Sequence, residues 1–415
     1  MLDLRLIRRE PDAVRAALAR RGPELAERVD RLVELDADWR TAQQQVEGLR
    51  AEQKAASEEV ALGKRENRDV SGQLERLKSL SAEVKALGER AKSAETELHE
   101  LLVTLPNVPD PAAAEPEDEV LRVVGDASKR GRDHLELAGE RIDMERGARL
   151  SGSRFAYLRG DLVMLELALV RWSMEKLRGH GFEPVIPPVL VREEALYGTG
   201  MLPDTEQQLY TLPEDELYLA GTAEVPLASL HAGEIVDELP IRYAGFSTCF
   251  RREAGAAGKD TRGIFRVHQF DKVEMFEFVP PEDSPDEHER LLAIEESLLQ
   301  ALDIPYRVVD IAVDDLGASA SRKFDCEAWL PGQGRYRELT STSNTTDFQA
   351  RRLDARYRPA EGGGPRPVHT LNGTAVAVGR TIIALVENGQ RDDGTIEIPQ
   401  ALHAFGAPAT IAAAG

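Results

Sequence analysis

The stretch from Asp30 to Leu105 contains no proline and is rich in Ala, Glu, Gln, Leu, Lys and Arg. These residues favour helices, and proline is the residue that would interrupt one. Apolar residues recur mostly three and four positions apart, so each helix would present a single apolar seam. The first seam is Leu32, Leu35, Trp39, Ala42, Val46, Leu49, Ala56 and Val60, and the second is Val70, Leu74, Leu77, Val84, Ala91, Leu98, Leu102 and Leu105.

Polar turn-forming residues replace the seam between Gly63 and Ser71. The pattern therefore predicts two helices that fold back as an antiparallel coiled-coil hairpin, roughly 50 Å long at 1.5 Å per residue. Such a hairpin commonly serves as a dimerisation element or a spacer. It can also grip RNA, because Lys and Arg side chains near its tip would contact phosphates. These basic residues are Arg50, Lys54, Lys64, Arg65, Arg68, Arg76, Lys78 and Lys85.

The formal net charge of -21 at pH 7 argues against a general nucleic-acid coat protein, which needs clustered Lys and Arg over its surface. Residues 1–110 hold 19 Lys and Arg against 22 Asp and Glu, so this segment accounts for only -3 of the total. The helical hairpin is thus the part of the chain that would repel RNA least.

At 415 residues the chain exceeds the usual size of one domain, and a proline-rich connector, PNVPDPAAAEPEDE, begins at Pro106. We expect a helical domain over residues 1–110 and a larger domain over 111–415. The only cysteines, Cys249 and Cys326, lack the paired spacing of a zinc site, so buried thiols and no zinc are expected. The N-terminus lacks a signal-peptide core and no run of about 18 apolar residues occurs, which predicts a soluble cytoplasmic protein without membrane contact.

Charged and aromatic residues alternate from Thr248 to Phe278, TCFRREAGAAGKDTRGIFRVHQFDKVEMFEF, in what otherwise has the pattern of a buried β-hairpin. Alternating charge usually marks the solvated face of an exposed hairpin, but so dense a run indicates a ligand or a partner. Because side chains alternate across a strand, Arg251 and Glu253 would share one face. On the return strand a face would be shared by Arg266, His268, Phe270, Lys272, Glu274 and Phe276. The intervening loop, which would close over an anion, contains Gly255, Gly258, Lys259 and Gly263.

This hairpin resembles motif 2 of the class II aminoacyl-tRNA synthetases, and FRREAG with DTRGIFRVHQFDKVEM is similar to its form in the seryl-tRNA synthetase family. The helical pattern from Arg159 to Arg178 with GHGFEPVIPPVLV resembles motif 1, and HTLNGTAVAVGRTIIALVENGQ resembles motif 3. The resemblance covers nearly the whole chain. It implies an α+β fold in which an antiparallel two-helix coiled-coil arm precedes a catalytic domain built on a mixed, mainly antiparallel sheet flanked by helices. Motif 1 forms the dimer interface in this class, so a homodimer is implied.

The resemblance implies an ATP site without a nucleophilic side chain, because positioning and charge neutralisation supply most of the catalysis. Arg251 would bridge the α-phosphate and the serine carboxylate, and Glu253 would accept from the adenine amino group. Phe270 would stack on the adenine, with Arg380 over its other face. Arg251 and Arg380 are the implied catalytic residues. The other implied ATP contacts are Arg252, Val267, Glu338, Leu339, Thr340 and Ser341.

The run RYRELTSTSNTTDFQARR is rich in hydroxyl groups, which by themselves usually mark turns and helix caps. We expect Glu338 to end a strand at this point. In the family the matching residues contact the nucleotide, and Glu338 and Ser341 would hold Mg²⁺ with ATP. Oxygen atoms are hard ligands that suit this ion.

Serine would be held through its ammonium and hydroxyl groups in a pocket too small for threonine. A buried glutamate is equally often half of a structural ion pair. The family assigns the pocket to Thr222, Ala223, Glu224, Arg251, Glu274, Asn372 and Thr374. Two departures from the family pattern stand out: Asn372 to Ala375 read NGTA instead of NGSG, so that Ala375 is expected to narrow the site, and Arg252 replaces a frequent serine.

The implied activity is ATP-dependent formation of seryl-adenylate from L-serine, followed by transfer of serine to the 3′ end of tRNA(Ser), and also of tRNA(Sec) if the host has one. An amino acid:carrier-protein ligase shares the catalytic domain, but the long hairpin with its basic tip argues against it. A non-catalytic synthetase paralogue is a third interpretation. The joint presence of Arg251, Glu253, Glu274, Glu338 and Arg380 argues against that interpretation.

Overall fold

The computed structural model describes residues 1–203, 208–254, 260 and 262–414. Residues 2–105 form one compact unit, and the chain from Pro106 onwards, together with Met1, forms a second. The α-helices in the described residues are α1 (Leu4–Arg9), α2 (Pro11–Ala19), α3 (Pro23–Arg65), α4 (Ser71–Val103), α5 (His134–Ala138), α6 (Met144–Ser151), α7 (Asp161–Gly179), α8 (Glu193–Thr199), α9 (Glu224–Ala228), α10 (Ser284–Ala301), α11 (Phe348–Leu353) and α12 (Val378–Asn388).

The β-strands in the same residues are β1 (Glu119–Val124), β2 (Ile142–Asp143), β3 (Tyr157–Leu158), β4 (Glu183–Val185), β5 (Leu190–Val191), β6 (Tyr210–Leu212), β7 (Leu217–Leu219), β8 (Ile235–Val236), β9 (Ile241–Phe250), β10 (Gln269–Val279), β11 (Tyr306–Asp310), β12 (Arg322–Leu330), β13 (Arg335–Thr346), β14 (Arg356–Tyr357), β15 (Arg366–Pro367), β16 (His369–Ala377), β17 (Ile396–Glu397) and β18 (Thr410–Ile411).

The first unit is helical, and α3 and α4 pair along their length. Gln53 of α3 donates a hydrogen bond to Ser81 of α4 at 2.8 Å, while Arg28, near the start of α3, bonds Thr104 just beyond α4. This pairing is antiparallel and confirms the predicted hairpin. The 43 residues of α3 span about 65 Å at 1.5 Å per residue, more than predicted. The difference arises because α3 begins at Pro23, a residue well suited to the first helical turn.

Most of the predicted seam of the hairpin is at least half-buried, but Leu74 is 42% exposed, and this part of the prediction is wrong. Leu74 lies in the first turn of α4, beside the connection between the two helices. Val70 packs onto α3 there instead: a Cβ atom on Gly63 would lie 2.5 Å from Val70 Cγ1. Farther along α4, the seam includes the buried Leu80, which we had not assigned to it.

The second unit is built on an eight-stranded sheet with the strand order β1-β11-β12-β13-β16-β10-β9-β4. Every neighbouring pair in it is antiparallel except β4 and β9, which are parallel. The predicted mixed, mainly antiparallel sheet is therefore confirmed. No helix among the described residues has both the length and the apolar composition needed to span a bilayer.

The main core lies between one face of this sheet and α7, α10 and α12. It contains large apolar side chains such as Trp172, Leu298 and Ile382, all at most 2% exposed. In β10, Val273 and Met275 belong to this core, whereas Lys272 and Glu274 point to the other face. The alternation predicted for this strand is thus present. It separates the main core from Lys272 and Glu274, whereas Phe276 and Phe278, farther along the same face, belong to a second apolar cluster.

The predicted face shared by Arg251 and Glu253 does not exist as a strand face, because β9 ends at Phe250. Glu253 has a φ of 50°, a left-handed conformation that a strand does not contain. Arg266 and His268 likewise precede β10, which begins at Gln269. Of the loop residues that we expected to close over an anion, Gly255, Gly258 and Lys259 lie outside the described residues, while Gly263 is described and has a φ of 78°.

Two of the irregularities in strand pairing lie in β13 and in its neighbour β16. Between β12 and β13 the register shifts so that Cys326 faces Thr340 and Glu327 faces Glu338, which leaves Leu339 as the extra residue. Between β10 and β16, Glu274 faces Thr374 and Val273 faces Val376, which leaves Ala375 extra. A bulge of this kind bends a strand and redirects its side chains.

Candidate active site

A cavity of about 280 Å³ opens on the polar face of the large sheet. It is lined by side chains from β10, β13, β16 and the start of α12, and from the segments that follow β7, β9 and the motif 2 loop. Thirteen of the sixteen predicted site residues are among them: Thr222, Glu224, Arg251, Glu253, Val267, Phe270, Glu274, Glu338, Leu339, Ser341, Asn372, Thr374 and Arg380. Residues that are far apart in the sequence therefore meet in a single space.

Three predicted residues do not line the cavity. Ala223 is fully buried, and its Cβ lies 3.3 Å from the position that a Cβ on Gly245 would occupy, so it packs over β9. Thr340 is directed away from the cavity and donates a 2.9 Å hydrogen bond to Glu295 of α10. The Arg252 side chain is exposed, and its backbone N–H donates to the Gln208 carbonyl at 2.9 Å. The side chains of these three residues thus lie outside the lining of the cavity that collects the other predicted site residues.

Two further expectations need correction. Ala375 is the extra residue of the β16 bulge and packs in the main core, so its methyl group does not narrow the cavity. Glu338 does not end a strand, because β13 continues to Thr346. The hydroxyl-rich run is strand rather than turn, since Thr is β-branched and well suited to a central strand.

The β13 bulge explains how Glu338 and Ser341 both reach the cavity. Residues three apart in a regular strand point to opposite faces. With Leu339 as the extra residue, Glu338 and Ser341 instead lie on the same side of the sheet. The oxygen pair that the family resemblance assigns to Mg²⁺ is thus assembled by a local irregularity of the backbone.

One end of the cavity contains a dense hydrogen-bonded network of buried polar groups. Lys272 forms an ion pair with Glu274, and its Nζ donates to Thr222 Oγ1 at 2.7 Å. The side chains of Lys272 and Glu274 are only 8% and 0% exposed. Asn372 Nδ2 donates to Glu274 Oε1 at 3.3 Å and approaches Glu224 Oε2 at 3.5 Å. This end therefore presents carboxylate oxygens and an amide in a small polar pocket.

Glu224, the first residue of α9, is a carboxylate of this pocket with a perturbed acidity. Burial, with a smaller contribution from the negative charge of Glu274, raises the pKa of Glu224 to about 7. Gln349, Lys272 and Arg251 act in the opposite direction and favour the anion. The group therefore changes its charge close to neutral pH.

Arg251 lies just past the end of β9, between the polar pocket and the rest of the cavity. Its Nε donates to the Gly221 carbonyl at 3.1 Å, and its Cζ lies 5.3 Å from the centre of the Phe270 ring. Within the described part of the chain, no hydrogen bond or ion pair occupies its terminal guanidinium nitrogens. The anchored Nε and the aromatic contact orient this group, which can then meet an anion with two parallel donors.

The opposite end of the cavity is cationic. Arg380, the third residue of α12, forms a 3.2 Å ion pair with Glu338, and its Cζ lies 4.6 Å from the centre of the Phe265 ring. Burial by itself would raise the pKa of Glu338, but Arg380, Lys323 and Arg251 together hold that pKa below its usual value. Glu338 is therefore an anion, and its side chain is still 45% exposed.

Ion pairs attach the return limb of the motif 2 loop to β13 and to the segment after β9. Asp260 accepts from both terminal nitrogens of Arg337, at 2.9 and 2.7 Å, and Arg266 forms an ion pair with Glu253. The Arg337 Cζ lies 3.7 Å from the centre of the Phe265 ring. Glu253, the residue predicted to accept a hydrogen bond from adenine, is thus paired with Arg266 in this structure.

Several residues of the site had no role assigned from the sequence, although Arg266 and Lys272 were placed on the charged face of the motif 2 hairpin. Phe265, Arg266, Lys272 and Lys323 line the cavity, and Gln349 supports it from behind. Lys272 could have been assigned from its place two residues before Glu274 on the same strand face. Gln349 carried no such signal, because glutamine within FQARR is unremarkable in a short helix.

Among residues 1–203, 208–254, 260 and 262–414, no three His, Cys, Asp or Glu side chains group closely enough to hold a metal ion. Cys249 and Cys326 are both free and buried, as predicted.

Two family models match the chain. Residues 1–109 match the seryl-tRNA synthetase N-terminal domain, and residues 209–389 match the tRNA synthetase class II core domain (G, H, P, S and T). The first match covers the helical hairpin. The second covers all the residues that line the cavity except Met201.

The whole chain is also similar to individual proteins. It is 51% identical to the serine–tRNA ligase of Thermobifida fusca (strain YX), over 98% of this chain and 97% of the relative. The crystal structure of seryl-tRNA synthetase from Pyrococcus horikoshii complexed with ATP aligns over 100% of both chains with a TM-score of 0.95 and 39% identity. Cytoplasmic serine-tRNA ligase from Naegleria fowleri in complex with AMP aligns over 98% of this chain and 96% of its own, with a TM-score of 0.85 and 32% identity. This chain therefore belongs to the seryl-tRNA synthetase family of class II aminoacyl-tRNA synthetases.

Proposed function

We propose that this chain activates L-serine with ATP to form seryl-adenylate and pyrophosphate, and then transfers the seryl group to the 3′-terminal adenosine of tRNA(Ser). The observation that carries the proposal is the composition of the cavity, in which a small carboxylate pocket and a cationic region meet at Arg251. Transfer to tRNA(Sec) is a further proposal that depends on the host.

The polar pocket is the proposed serine site. Thr222, Glu224, Glu274, Asn372 and Thr374 line it, and its carboxylates suit the ammonium group of the amino acid. Hydrogen bonds to the hydroxyl group would favour serine over alanine, because removing the hydroxyl leaves buried polar groups unpaired. Lys272 balances the charge of Glu274, so that one net negative charge remains for the substrate ammonium when Glu224 is ionised.

The cationic region is the proposed ATP site. Arg251 and Arg380 would neutralise phosphate oxygens, and Glu253, Val267 and Phe270 would hold the adenine. Arg266 contacts Oε2 of Glu253, so Oε1 would accept from the amino group of the base. Phe265 would orient Arg380 toward the nucleotide, because its ring centre lies 4.6 Å from the Arg380 Cζ.

The residues present fit a magnesium ion carried in with ATP. Glu338 is an anion whose side chain is 45% exposed, and the β13 bulge brings the Ser341 hydroxyl to the same side. These oxygen atoms would hold Mg²⁺ together with phosphate oxygens, and the ion would neutralise charge on the phosphates. Arg380 pairs with Glu338 in the present structure and would move toward phosphate when the ion binds.

The protein's own residues act by position. Arg251 would hold the serine carboxylate against the α-phosphate. A carboxylate oxygen then attacks the α-phosphorus, the bond to the bridging oxygen of the β-phosphate breaks, and pyrophosphate leaves with that electron pair. No side chain needs to take or give a proton in this step, which agrees with a site rich in fixed charges.

The helical hairpin is the proposed tRNA-binding element, and we propose domain limits of 1–110 for the tRNA-binding part and 111–415 for the catalytic part. All eight basic residues assigned to its tip half are exposed. They would contact the phosphate backbone and duplex shape of tRNA rather than individual bases. Cells hold ATP and tRNA in the cytoplasm, which is the proposed location.

A homodimer through motif 1 is also proposed. Apolar side chains on one side of α7 are unusually exposed: Val163 is 37%, Met164 48% and Leu167 58% exposed. Ile186, just after β4, is 80% exposed. Exposed apolar groups concentrated in one region commonly mark a protein interface, and this region coincides with motif 1.

The direct test of the activity is serine-dependent exchange of labelled pyrophosphate into ATP. Threonine, alanine and glycine are tested in place of serine as alternative substrates. We expect exchange with serine, and transfer of serine to tRNA(Ser) in a second assay. Exchange without transfer to any tRNA would favour a carrier-protein ligase. Absence of exchange with all four amino acids would favour a non-catalytic paralogue.

A further inference from the structure

Gln349 is a completely buried residue of α11 that does not line the cavity but contacts a residue that does. Its Nε2 donates to Glu224 Oε1 at 2.7 Å and to the Thr199 carbonyl at 3.2 Å. Its Oε1 accepts from Thr370 Oγ1 at 2.9 Å and is approached by Thr345 Oγ1 at 3.4 Å. The amide therefore uses both of its ends.

These contacts determine the orientation of the amide. A backbone carbonyl can only accept a hydrogen bond, so the atom of Gln349 beside Thr199 must be the nitrogen. The same nitrogen faces Glu224, and the Thr370 hydroxyl is left to donate to the amide oxygen. A flipped amide would place its oxygen against a carbonyl and a carboxylate, which is unfavourable in a buried site.

The consequence for Glu224 is geometric and electrostatic. Gln349 engages Oε1 of the carboxylate, while Oε2 lies on the side of Asn372, a residue of the cavity wall. The donated hydrogen bond also stabilises the anionic form of a carboxylate that is only 9% exposed. Both effects prepare Glu224 to receive a positively charged donor from the cavity.

We propose that Gln349 is a positioning residue for amino-acid recognition, whose amide holds the Glu224 carboxylate in the orientation and charge state that bind the substrate ammonium group. This inference rests on the proposed serine-activating function and adds a determinant to it. Gln349 itself touches neither substrate.

The first test compares Gln349→Met with the wild-type protein in serine-dependent pyrophosphate exchange. Methionine has a similar shape but cannot donate to Glu224. The KM for serine should rise about 10- to 100-fold, the range expected for the loss of a hydrogen bond to a charged group, while the KM for ATP changes less than about twofold. Partial unfolding of the variant would lower kcat and leave both KM values unchanged, so it cannot imitate this result.

Gln349→Glu provides a variant of the same shape with the opposite electrostatic effect. A carboxylate at this position would face Glu224 and the Thr199 carbonyl, so the KM for serine should rise at least as much as in Gln349→Met. Thr345→Val is the matched control, because it perturbs the same buried network at the amide oxygen and leaves both N–H contacts in place. It should leave the KM for serine within about twofold of the wild type.

The pH profile supplies a readout that a merely structural role would not move. Glu224 is faced by Glu274 and Lys272 of β10, by Arg251 after β9, and by the neutral amides Asn372 and Gln349. Because its pKa is raised to about 7, the KM for serine should rise as the pH falls through that value. In Gln349→Met the same rise should begin at a higher pH, since a donor that favours the anion is gone.

The outcomes separate this inference from the proposed function. Wild-type exchange with serine, combined with an unchanged KM and an unchanged pH profile in Gln349→Met, overturns the positioning role alone. Absence of serine-dependent exchange in the wild-type protein overturns the proposed function and this inference with it. A serine-specific rise in KM with a shifted pH profile supports both.

Discussion

Replacement of Lys272 by methionine tests whether the carboxylate pocket is held together by charge balance. Lys272 is the cation in contact with Glu274, and the side chains are 8% and 0% exposed. In Lys272→Met, Glu274 keeps the 3.3 Å hydrogen bond from Asn372 but loses its ion-pair partner and remains close to Glu224. Removing one partner of a buried ion pair typically costs about 3–5 kcal/mol of stability. We expect a loss of this size for the catalytic unit.

The double variant Lys272→Met/Glu274→Gln makes the prediction specific. It removes both charges and keeps an amide that can still contact Asn372, so most of the lost stability should return, to within about 1–2 kcal/mol of the wild type. Serine activation should not return, because the proposed carboxylate ligand is absent. The single variants Lys272→Met and Glu274→Gln and the double variant form a cycle that yields the interaction free energy between the two side chains.

The assay is urea denaturation followed by tryptophan fluorescence in a Trp39→Phe background. The chain has three tryptophans, and this change leaves Trp172 and Trp329, which both lie in the catalytic unit. Lys129→Met, at an exposed lysine of the same unit, is the matched control and should change stability by less than about 0.5 kcal/mol. A loss below about 1 kcal/mol in Lys272→Met, or a double variant as unstable as the sum of the single ones, would refute the charge-balance argument.

Three further predictions concern the other parts of the site. Arg251→Lys should lower serine-dependent exchange at least about 100-fold. Lysine cannot combine the hydrogen bond to the Gly221 carbonyl, the contact with the Phe270 ring and a bidentate contact with an anion. Near-normal exchange would contradict this role of Arg251. Ser341→Ala should raise the Mg²⁺ concentration that gives half-maximal exchange several-fold at fixed ATP, and it should leave the KM for serine unchanged. Equal increases in the Mg²⁺ requirement and in the KM for serine would show that Ser341 does not bind the metal ion. Replacing residues 40–90 by a short glycine-rich link should preserve pyrophosphate exchange and abolish serine transfer to tRNA(Ser), and normal transfer by this protein would show that the hairpin is not the tRNA-binding element.

Much of the architecture was predictable from local patterns. The long proline-free stretch with apolar residues three and four apart specified a helical hairpin, because helix formation depends on neighbouring residues and needs only one continuous seam to pair. Alternation in β10 similarly separated Val273 and Met275 from Lys272 and Glu274. The motif residues indicated the family, and the family comparisons confirmed it. The roles of individual residues toward ATP and serine stay predictions.

Strand limits and bulges were not predictable, and they decided which side chains reach the cavity. Strict alternation would have put Glu338 and Ser341 on opposite faces, and the resemblance by itself did not show that Thr340 contacts α10 or that Ala375 packs in the core. A bulge arises from pairing between strands that are distant in the chain, so no single segment encodes its position.

The sequence by itself determined the helical arm, the order of the motifs and the kinds of charge available, since these depend on residue type and short-range spacing. Only the tertiary structure decided which charges meet. Lys272 pairs with Glu274, Gln349 donates a hydrogen bond to Glu224, and Arg266 pairs with Glu253. A buried charge interacts with whichever partner the packed strands and helices bring within hydrogen-bonding distance.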